Sequence, residues 1–256
     1  MNFITTKYDY ALDLLEDIVK ADHPLPTDLV ICSTREDFHD QLLTQLARHH
    51  DELRPSATSP AQDESNGEAD DVSPTGRSHP LLAPTLQVLS ASRFCSLRFC
   101  PTTTVLRGYL ASYYLQTVSK SSAPTSSFEG RVVILNLLAL HHGTSEFTLQ
   151  GLSQTLATAV SAAHGAKRQL ELVECRDIHD PSNPSRGPAL WQADVQLLSG
   201  AVKIGEGGAS WGRRSISVMM IASRWFQIRH PGREDKEDRS GSLFDKGAAT
   251  EDEMLV

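Results

Sequence analysis

Short apolar runs alternate along the chain with longer segments in which apolar side chains recur at helical spacing. Four runs are almost continuously apolar, which predicts strands buried on both faces of a sheet. They are DLVICS at 28–33, SLRFCP at 96–101, RVVILNLLAL at 131–140 and QLELVEC at 169–175. Pro101 ends the second run, because proline has no backbone N–H to offer a neighbouring strand.

The segments that follow these runs predict helices. Their apolar residues recur every three or four positions, and candidate N-terminal caps precede two of them: Ser33 or Thr34, and Thr144 or Ser145. Gly165 is the predicted end of the last helix. The predicted helices cover residues 9–21, the segment that begins at Arg35, residues 102–118 and residues 145–167.

Three other segments are predicted as β structure. They are TLQVLSA at 85–91, ALWQADVQLLS at 189–199 and SISVMMIASRWFQI at 215–228, the last as a long strand or hairpin rich in β-branched and aromatic residues. Alternation of strand with helix predicts an α/β fold, with a mainly parallel sheet and helices on both faces. The last strands follow one another without helices, which predicts an antiparallel C-terminal β edge.

Charge and polarity divide the chain into one folded domain and two acidic segments. Residues 51–79 carry a net charge of −5 and residues 231–256 a net charge of −4, so that about +1 of the total of −8 is left for the rest. Such polar segments bury too little apolar surface to offset the entropy of ordering. We therefore expect a single domain at 1–230 with a disordered acidic insertion at 51–79, and a disordered acidic tail at 231–256.

The cysteines and the hydropathy pattern restrict where the protein works. The four cysteines have no zinc-ligand spacing, and no apolar run is long enough to cross a membrane. The first twenty residues lack the basic and apolar blocks of a secretory signal. We expect a reducing compartment, nucleus or cytoplasm, with no membrane partner, no metal and no cofactor.

The strongest candidate for chemistry is the end of the run RVVILN. P-loop nucleotide hydrolases place a magnesium-binding Asp at the end of such a strand, and this chain has Asn136 there. A neutral amide is a poor ligand for magnesium, which favours anionic oxygen. Asn136 is therefore a candidate remnant of a nucleotide site. The alternative on these residues alone is an ordinary buried strand with Asn at its exit turn.

No phosphate-binding loop accompanies this strand. GGASWGRR at 207–214 has the glycine spacing of G-x-x-x-x-G-K-[ST], but Arg213 and Arg214 replace the lysine and the hydroxyl residue. A strand-like segment follows instead of a helix, so a glycine-rich hairpin or loop is the better interpretation. No other catalytic set is found, and we predict that the protein is not an enzyme.

Other polar residues near the strands are assigned no catalytic role. His141 and His142 are interpreted as exposed loop histidines, and Glu171 and Glu174 as residues of an edge-like strand. Neither pair is accompanied by the further ligands or bases that a site requires.

A possible binding surface lies in the C-terminal third of the chain. Its candidate residues are Trp211, Arg213, Arg214, Arg224 and Trp225. Aromatic and guanidinium groups can stack on bases and contact phosphates in single-stranded DNA. The same residue types anchor protein interfaces, and a solvated hairpin without a role is the third alternative.

In the order of its elements the chain resembles a degenerate member of the RecA-like recombinase family over residues 27–228. RVVILNLLAL and the helix after it resemble the family's metal-binding strand and the following helix, and the final β segment resembles that of the family. The phosphate loop is missing, and Asn136 stands at the position of the metal-binding Asp. The resemblance implies a RecA-like fold without ATPase activity.

What the resemblance implies for function follows from these losses. The chain is similar to the non-catalytic recombinase paralogues of Shu-type complexes, which bind a protein partner and act on single-stranded DNA in homologous recombination and DNA repair. This implies a hetero-oligomer in the nucleus. The alternatives are an Elongator-type RecA-like subunit in transfer RNA modification and a weak ATPase with an atypical site.

Overall fold

The computed structural model of the chain describes residues 1–21, 25–52, 79–82, 85–118, 130–197, 202–203, 210–211 and 215–229. The strands are β1 Asn2–Thr5, β2 Thr27–Ile31, β3 Cys95–Phe99, β4 Arg131–Leu135, β5 Gln169–Val173, β6 Asp194–Gln196, β7 Val202–Lys203, β8 Ser210–Trp211, β9 Ser215–Ser217 and β10 Gln227–Arg229. The α-helices are α1 Ala11–Lys20, α2 Arg35–Glu52, α3 Leu86–Ser92, α4 Thr103–Val118, α5 Leu137–His141, α6 Leu149–Gly165 and α7 Val218–Ala222. Short 3-10 helices span Pro80–Leu82 and Pro188–Gln192.

Six strands form one parallel sheet in the order β10-β1-β5-β4-β2-β3. All five strand pairs in it are parallel. The predicted α/β class with a mainly parallel sheet is confirmed, and the architecture is consistent with a RecA-like fold. The central strands β4 and β5 pair in the register Val132↔Leu170 and Ile134↔Leu172, and their side chains are buried as their apolar composition predicts.

Helices cover both faces of the sheet, as predicted. On one face α1 and α2 pack on β2, β4 and β5 through Leu14, Ile18 and Phe38. On the other face α4, α6 and α7 form the larger core, in which Leu110, Leu156 and many further apolar side chains are buried. No helix in the described part of the chain is long and apolar enough to cross a membrane.

The helices begin where short polar side chains can cap them. The Thr34 hydroxyl accepts the backbone N–H of Asp37, as predicted for α2. At the start of α4 the Thr102 hydroxyl accepts the backbone N–H of Val105. The cap of α6 is Thr148, which accepts the N–H of Gly151, so the predicted start near Thr144 or Ser145 was a few residues early. Gly165 is the last residue of α6, as predicted.

For several segments the secondary structure predicted from the sequence was wrong. The predicted strand at 85–91 is mostly helix α3, whose cap Thr85 accepts the N–H of Val88. The second half of RVVILNLLAL is helix α5. The predicted final strand at 215–228 consists of β9, helix α7 and β10, and the predicted strand at 189–199 is a 3-10 helix followed by β6. The interior strand β1 was not predicted.

The antiparallel C-terminal structure exists, but it does not form an edge of the main sheet. β6 pairs antiparallel with β9, and β7 pairs antiparallel with β8, each in a separate two-stranded sheet. β10, at the actual edge, follows helix α7 and is parallel to β1. The β7–β8 pair agrees with the predicted hairpin, whose turn lies outside the described residues.

The predicted acidic insertion and tail fall almost entirely outside the described residues. Within 51–79, residues 51–52 belong to α2, and His79 is described and buried. The tail from residue 231 lies wholly outside the described part of the chain.

Candidate functional site

The place to look for a ligand in a parallel α/β sheet is beyond the carboxyl ends of its strands. A crevice forms there between neighbouring strands whose outgoing connections run along opposite faces. The connections after β1 and β2 carry α1 and α2 on one face, and those after β4 and β5 lead to α6 and α7 on the other. The crevice should therefore lie across the ends of β1, β5, β4 and β2.

Asn136 lies in this crevice, directly after β4, and its side-chain amide forms a hydrogen bond with the protein's own backbone. Its backbone is left-handed, with φ 61° and ψ 40°, a conformation that Asn tolerates better than most residues. The side-chain oxygen Oδ1 accepts the backbone N–H of Cys175 at 2.7 Å, and the Asn136 N–H donates to the Val173 carbonyl at 2.8 Å. Asn136 thus ties the end of β4 to the end of β5.

Glu174 fills the neighbouring position at the end of β5. Its carboxyl group accepts the backbone N–H of Leu138 at 2.6 Å and, more weakly, that of Ala139 at 3.4 Å, in the first turn of α5. Glu174 is buried, and this burial raises its pKa to about 8, although the two backbone hydrogen bonds act in the opposite direction. The N–H groups that could have bound a phosphate here are satisfied by the protein's own side chain.

The connection from β1 to α1 cannot form a phosphate cradle. Residues 6–10, TKYDY, contain no glycine, so no bare backbone is available for close approach to a phosphate. Tyr8 is buried and its hydroxyl donates to Asp17 at 2.7 Å, while Lys7 forms an ion pair with the same carboxylate at 2.8 Å. The Tyr10 N–H donates to Asp13 at 2.9 Å, so an acidic side chain already satisfies a donor at the start of α1.

Residues 176–187, here called the crossing segment, run from the end of β5 across this crevice. At one end the Arg176 N–H donates to the Asp9 carbonyl at 2.9 Å, in the connection after β1. At the other end Arg186 forms an ion pair with Asp37 at 2.9 Å, in the first turn of α2 after β2. Ile178 between them is buried. Since β5 and β4 lie between β1 and β2, the segment passes over the ends of both.

The crossing segment is also held by weaker ionic contacts. His179 lies 2.9 Å from Asp40 of α2, and Arg186 is 3.8 Å from Asp177 within the segment itself. Gly187 ends the segment with a φ of +96°, and a Cβ at this position would lie 3.0 Å from the Arg176 Cγ. A Cβ there would be strained by the backbone conformation, so glycine suits the point at which the segment rejoins the fold.

Of the predicted binding residues, Arg224 and Trp225 are not brought to the crevice. Arg224 is exposed and Trp225 half-buried, in the turn between α7 and β10. The Trp225 carbonyl accepts the Asn2 side-chain N–H at 3.2 Å, which places this turn at the amino ends of β1 and β10. Trp211 lies on β8, and Arg213 and Arg214 lie outside the described residues. Asn136 is thus at the opposite end of the sheet from Trp225.

Two expectations about polar residues were wrong. His141 is not exposed: it is fully buried in α5, where its ring nitrogens lie 2.9 Å from the Leu137 carbonyl and 3.0 Å from the Thr155 hydroxyl. Burial lowers the pKa of His141. Glu171 is not on an edge strand, because β5 lies between β1 and β4. It is buried and accepts the Thr5 hydroxyl at 2.5 Å.

Comparisons with known proteins add nothing to this geometry: no protein-family model, no curated protein and no solved structure matches the chain. Among the described residues, no group of three or more His, Cys, Asp or Glu side chains is arranged to hold a metal ion. What the crevice can do therefore follows from its own residues, which close it with buried acids, an amide and an anchored loop.

Proposed function

We propose that the protein is a non-catalytic, RecA-like subunit of a homologous-recombination and DNA-repair complex. It binds a protein partner there and assists in binding single-stranded DNA. The parallel sheet is consistent with a RecA-like fold. RVVILN resembles the metal-binding strand of RecA-like recombinases and the helix after it resembles the helix that follows that strand, which supports a RecA-like protein.

The main support for a non-catalytic role is that the crevice is filled by the protein's own residues. A nucleotide bound beyond the ends of β1, β5 and β4 would have to displace the crossing segment and the carboxyl group of Glu174. It would then meet a β1–α1 connection without glycine. Binding energy spent on opening these contacts is lost from affinity for the nucleotide. A scaffold that uses its outer surface is therefore favoured over a hydrolase.

The prediction that the protein lacks ATPase activity is tested with the full chain and the variant Asn136→Asp. Restoring a carboxylate at the end of β4 should produce neither ATP hydrolysis nor ATP binding at about 1 mM nucleotide, near the upper end of ordinary KM values. Phosphate release and equilibrium dialysis with Mg²⁺ measure the two quantities. Hydrolysis by the unaltered chain that Asn136→Ala abolishes would contradict the proposal.

The partner is tested by identifying the proteins that co-purify stoichiometrically with the full chain. A recombinase or another recombinational repair protein would support the proposal, and loss of single-stranded DNA binding by the complex when this chain is omitted would extend it. Elongator subunits would instead assign the chain to transfer RNA modification. A chain that purifies alone under mild conditions would remove the subunit role.

A further inference from the structure

One flank of the molecule carries most of its exposed apolar side chains. The β3 flank consists of the edge strand β3 with α3 on one face and α4 on the other, and is defined here as residues 79–82 and 85–118. Eight of the thirteen large apolar side chains exposed in the described chain lie in it, which is far more than its share of the length. They are Leu82, Leu86, Leu89, Phe94, Leu97, Val105, Tyr114 and Leu115. Exposed apolar groups concentrated in this way mark interaction surfaces.

Helix α3 presents leucines to solvent on the side that faces away from the protein. Leu86 is 87% exposed and Leu89 is 52% exposed, and their i, i+3 spacing puts them next to each other. On the other side of the helix Ala91 is buried, and the Gln87 side chain donates to the Val19 carbonyl of α1. The helix is therefore attached by its inner side, while Leu86 and Leu89 lie mostly on its outer side.

The apolar surface continues around the edge of the sheet. Among the described strands, β3 pairs with β2 alone; Phe94 just before it and Leu97 in its middle are exposed. On the other face α4 buries Leu106 and Leu110 in the core but leaves Leu115 71% exposed. A helix that is apolar on both its inner and outer sides is typical of one covered by another molecule.

The β3 flank is also free of acidic residues. No Asp or Glu occurs between Asp71 and Glu129, in a chain that has 32 acidic residues. Arg93 and Arg98 are exposed on the flank. The acids of neighbouring segments that reach the flank already have partners: Glu16 of α1 lies 2.6 Å from His79, and Glu146 lies 2.7 Å from Arg107. Asp28 of β2 accepts the Tyr113 hydroxyl and lies 3.8 Å from Arg168. The flank therefore combines apolar surface with uncompensated positive charge.

We propose that the β3 flank is the docking surface for an acidic segment of a protein partner, one that presents apolar side chains flanked by Asp or Glu. This inference rests on the proposed function as a subunit and names the surface and the chemistry of the partner. Opposite charge across an interface directs association and excludes wrong partners. A second copy of the chain fits less well, since an interface between two copies of the flank would contain two sets of Arg93 and Arg98 and no carboxylate from either flank. Single-stranded DNA also fits less well, because its bases stack on aromatic rings and the flank exposes mainly aliphatic groups.

The binding test uses the full chain and two designed, fluorescein-labelled peptides. One is an amphipathic helix of about 18 residues, long enough to form in isolation, with Leu on one side and Glu at the other positions. The other is identical except that Lys replaces every Glu. The Glu peptide should bind at least about 10-fold more tightly than the Lys peptide in fluorescence anisotropy.

Two double variants locate the binding. Leu86→Ser with Leu89→Ser should weaken binding of the Glu peptide at least about 10-fold, because both leucines are exposed on the proposed surface. Arg93→Glu with Arg98→Glu should reverse the preference in favour of the Lys peptide. Circular dichroism checks that both variants keep the helix content of the unaltered chain.

The matched control removes two exposed apolar helical side chains elsewhere. Leu43→Ser with Met220→Ser, on α2 and α7, should leave the affinity for the Glu peptide unchanged. Equal affinity of both peptides, no binding up to about 1 mM, or equal effects of the control and Leu86/Leu89 variants would overturn the proposal. A dimer in sedimentation velocity that the Leu86/Leu89 variant dissociates would assign the flank to a second copy. An oligonucleotide whose binding depends on Arg93 and Arg98 but not on the leucines would assign it to nucleic acid.

The outcomes separate this inference from the proposed function. If a recombination protein co-purifies equally with the unaltered chain and the Leu86/Leu89 variant, the subunit role stands and the flank is not its interface. If the peptide results are as expected but only proteins of another process co-purify, the flank stands as a docking surface and the recombination role fails.

Discussion

Asn136 follows β4 and Glu174 follows the adjacent strand β5. The side chain of each accepts a backbone hydrogen bond from the segment that follows the other strand. Asn136 bonds the N–H of Cys175, next to Glu174, and Glu174 bonds the N–H of Leu138, two residues after Asn136. The two contacts are reciprocal, since each side chain satisfies the backbone of the segment that carries its partner. Buried polar groups of this kind stabilise a fold only while all of them are satisfied.

The raised pKa of Glu174 predicts a specific pH dependence of stability. Between its ordinary value of 4.5 and about 8, the unfolded chain loses this proton while the folded chain keeps it. The contribution to stability is therefore complete below about pH 4.5 and is lost as the pH rises towards 8. Glu174→Gln removes this loss, so the variant should gain stability relative to the unaltered chain between pH 5 and pH 8.

Urea denaturation of both proteins at several pH values measures the difference. The control is Glu36→Gln, which removes one exposed carboxylate in the first turn of α2. That variant should follow the pH profile of the unaltered chain. Parallel curves for Glu174→Gln and the unaltered chain would show that Glu174 ionises alike in the folded and unfolded states.

At the scale of elements, Arg107 of α4 joins two helices that lie side by side on the sheet. Its guanidinium donates to the Thr155 hydroxyl at 2.9 Å, to the Gly151 carbonyl at 2.9 Å and to Glu146 at 2.7 Å. His141 of α5 reaches the same Thr155 hydroxyl. The planar arrangement of guanidinium donors fits three acceptors that a lysine ammonium could not reach together.

Arg107→Lys should therefore destabilise the protein although it keeps the charge. Loss of two or more partly buried hydrogen bonds predicts a decrease of roughly 1–3 kcal/mol in the free energy of unfolding. Chemical denaturation measures it, and Arg224→Lys, at an exposed position, should change the free energy by less than about 0.5 kcal/mol. Equal stabilities of the two variants would mean that α4 and α6 are held by apolar packing alone.

The elements that were predicted best are those whose own residues determine their secondary structure. β2, β4 and β5 are rich in buried apolar residues because both faces of the sheet are covered, and that pattern is visible in the sequence alone. β1 has only four residues, NFIT, and nothing local marks it as an interior strand. α3 and α7 contain residues that also suit strands, and their helical form depends on the caps Thr85 and Ser217 and on packing against the rest of the fold.

The candidate site was predictable only in part. Asn136 could be located because it follows an apolar strand. The role of Glu174 could not, because its partners are backbone N–H groups 35 and 36 positions earlier in the chain. The crossing segment could be predicted as a loop from its Pro, Ser and Asn content, but its path depends on ion pairs with Asp37 and Asp40, which no local pattern reveals.

At the scale of the whole molecule, the crossing segment connects parts of the fold that are far apart in sequence. Arg186→Ala removes its ion pairs with Asp37 and Asp177. Amide hydrogen exchange of residues 176–187 should then become faster, while global stability changes by no more than about 1 kcal/mol, as is usual for partly exposed ion pairs.

The Arg186→Ala variant should gain no ATP binding, since the glycine-free β1–α1 connection is unchanged. Arg224→Ala serves as the control for removal of an exposed arginine and should leave exchange of the segment as it was. Unchanged exchange in Arg186→Ala would show that Ile178 and the Asp9 contact hold the segment without the ion pairs. Newly acquired ATP binding would show that the segment had covered a functional site.

The place of β1 in the sheet has a consequence for how the protein is made. β1 joins Asn2 to Leu170 of β5 and Phe3 to Gln227 of β10, so both of its neighbours are synthesised long after it. During translation β2, β3 and β4 can pair first, while the N-terminal strand waits for partners that leave the ribosome last. A nascent chain that stops before β10 would leave β1 as the unpaired edge of the remaining five-stranded sheet, in a form prone to pair with other chains.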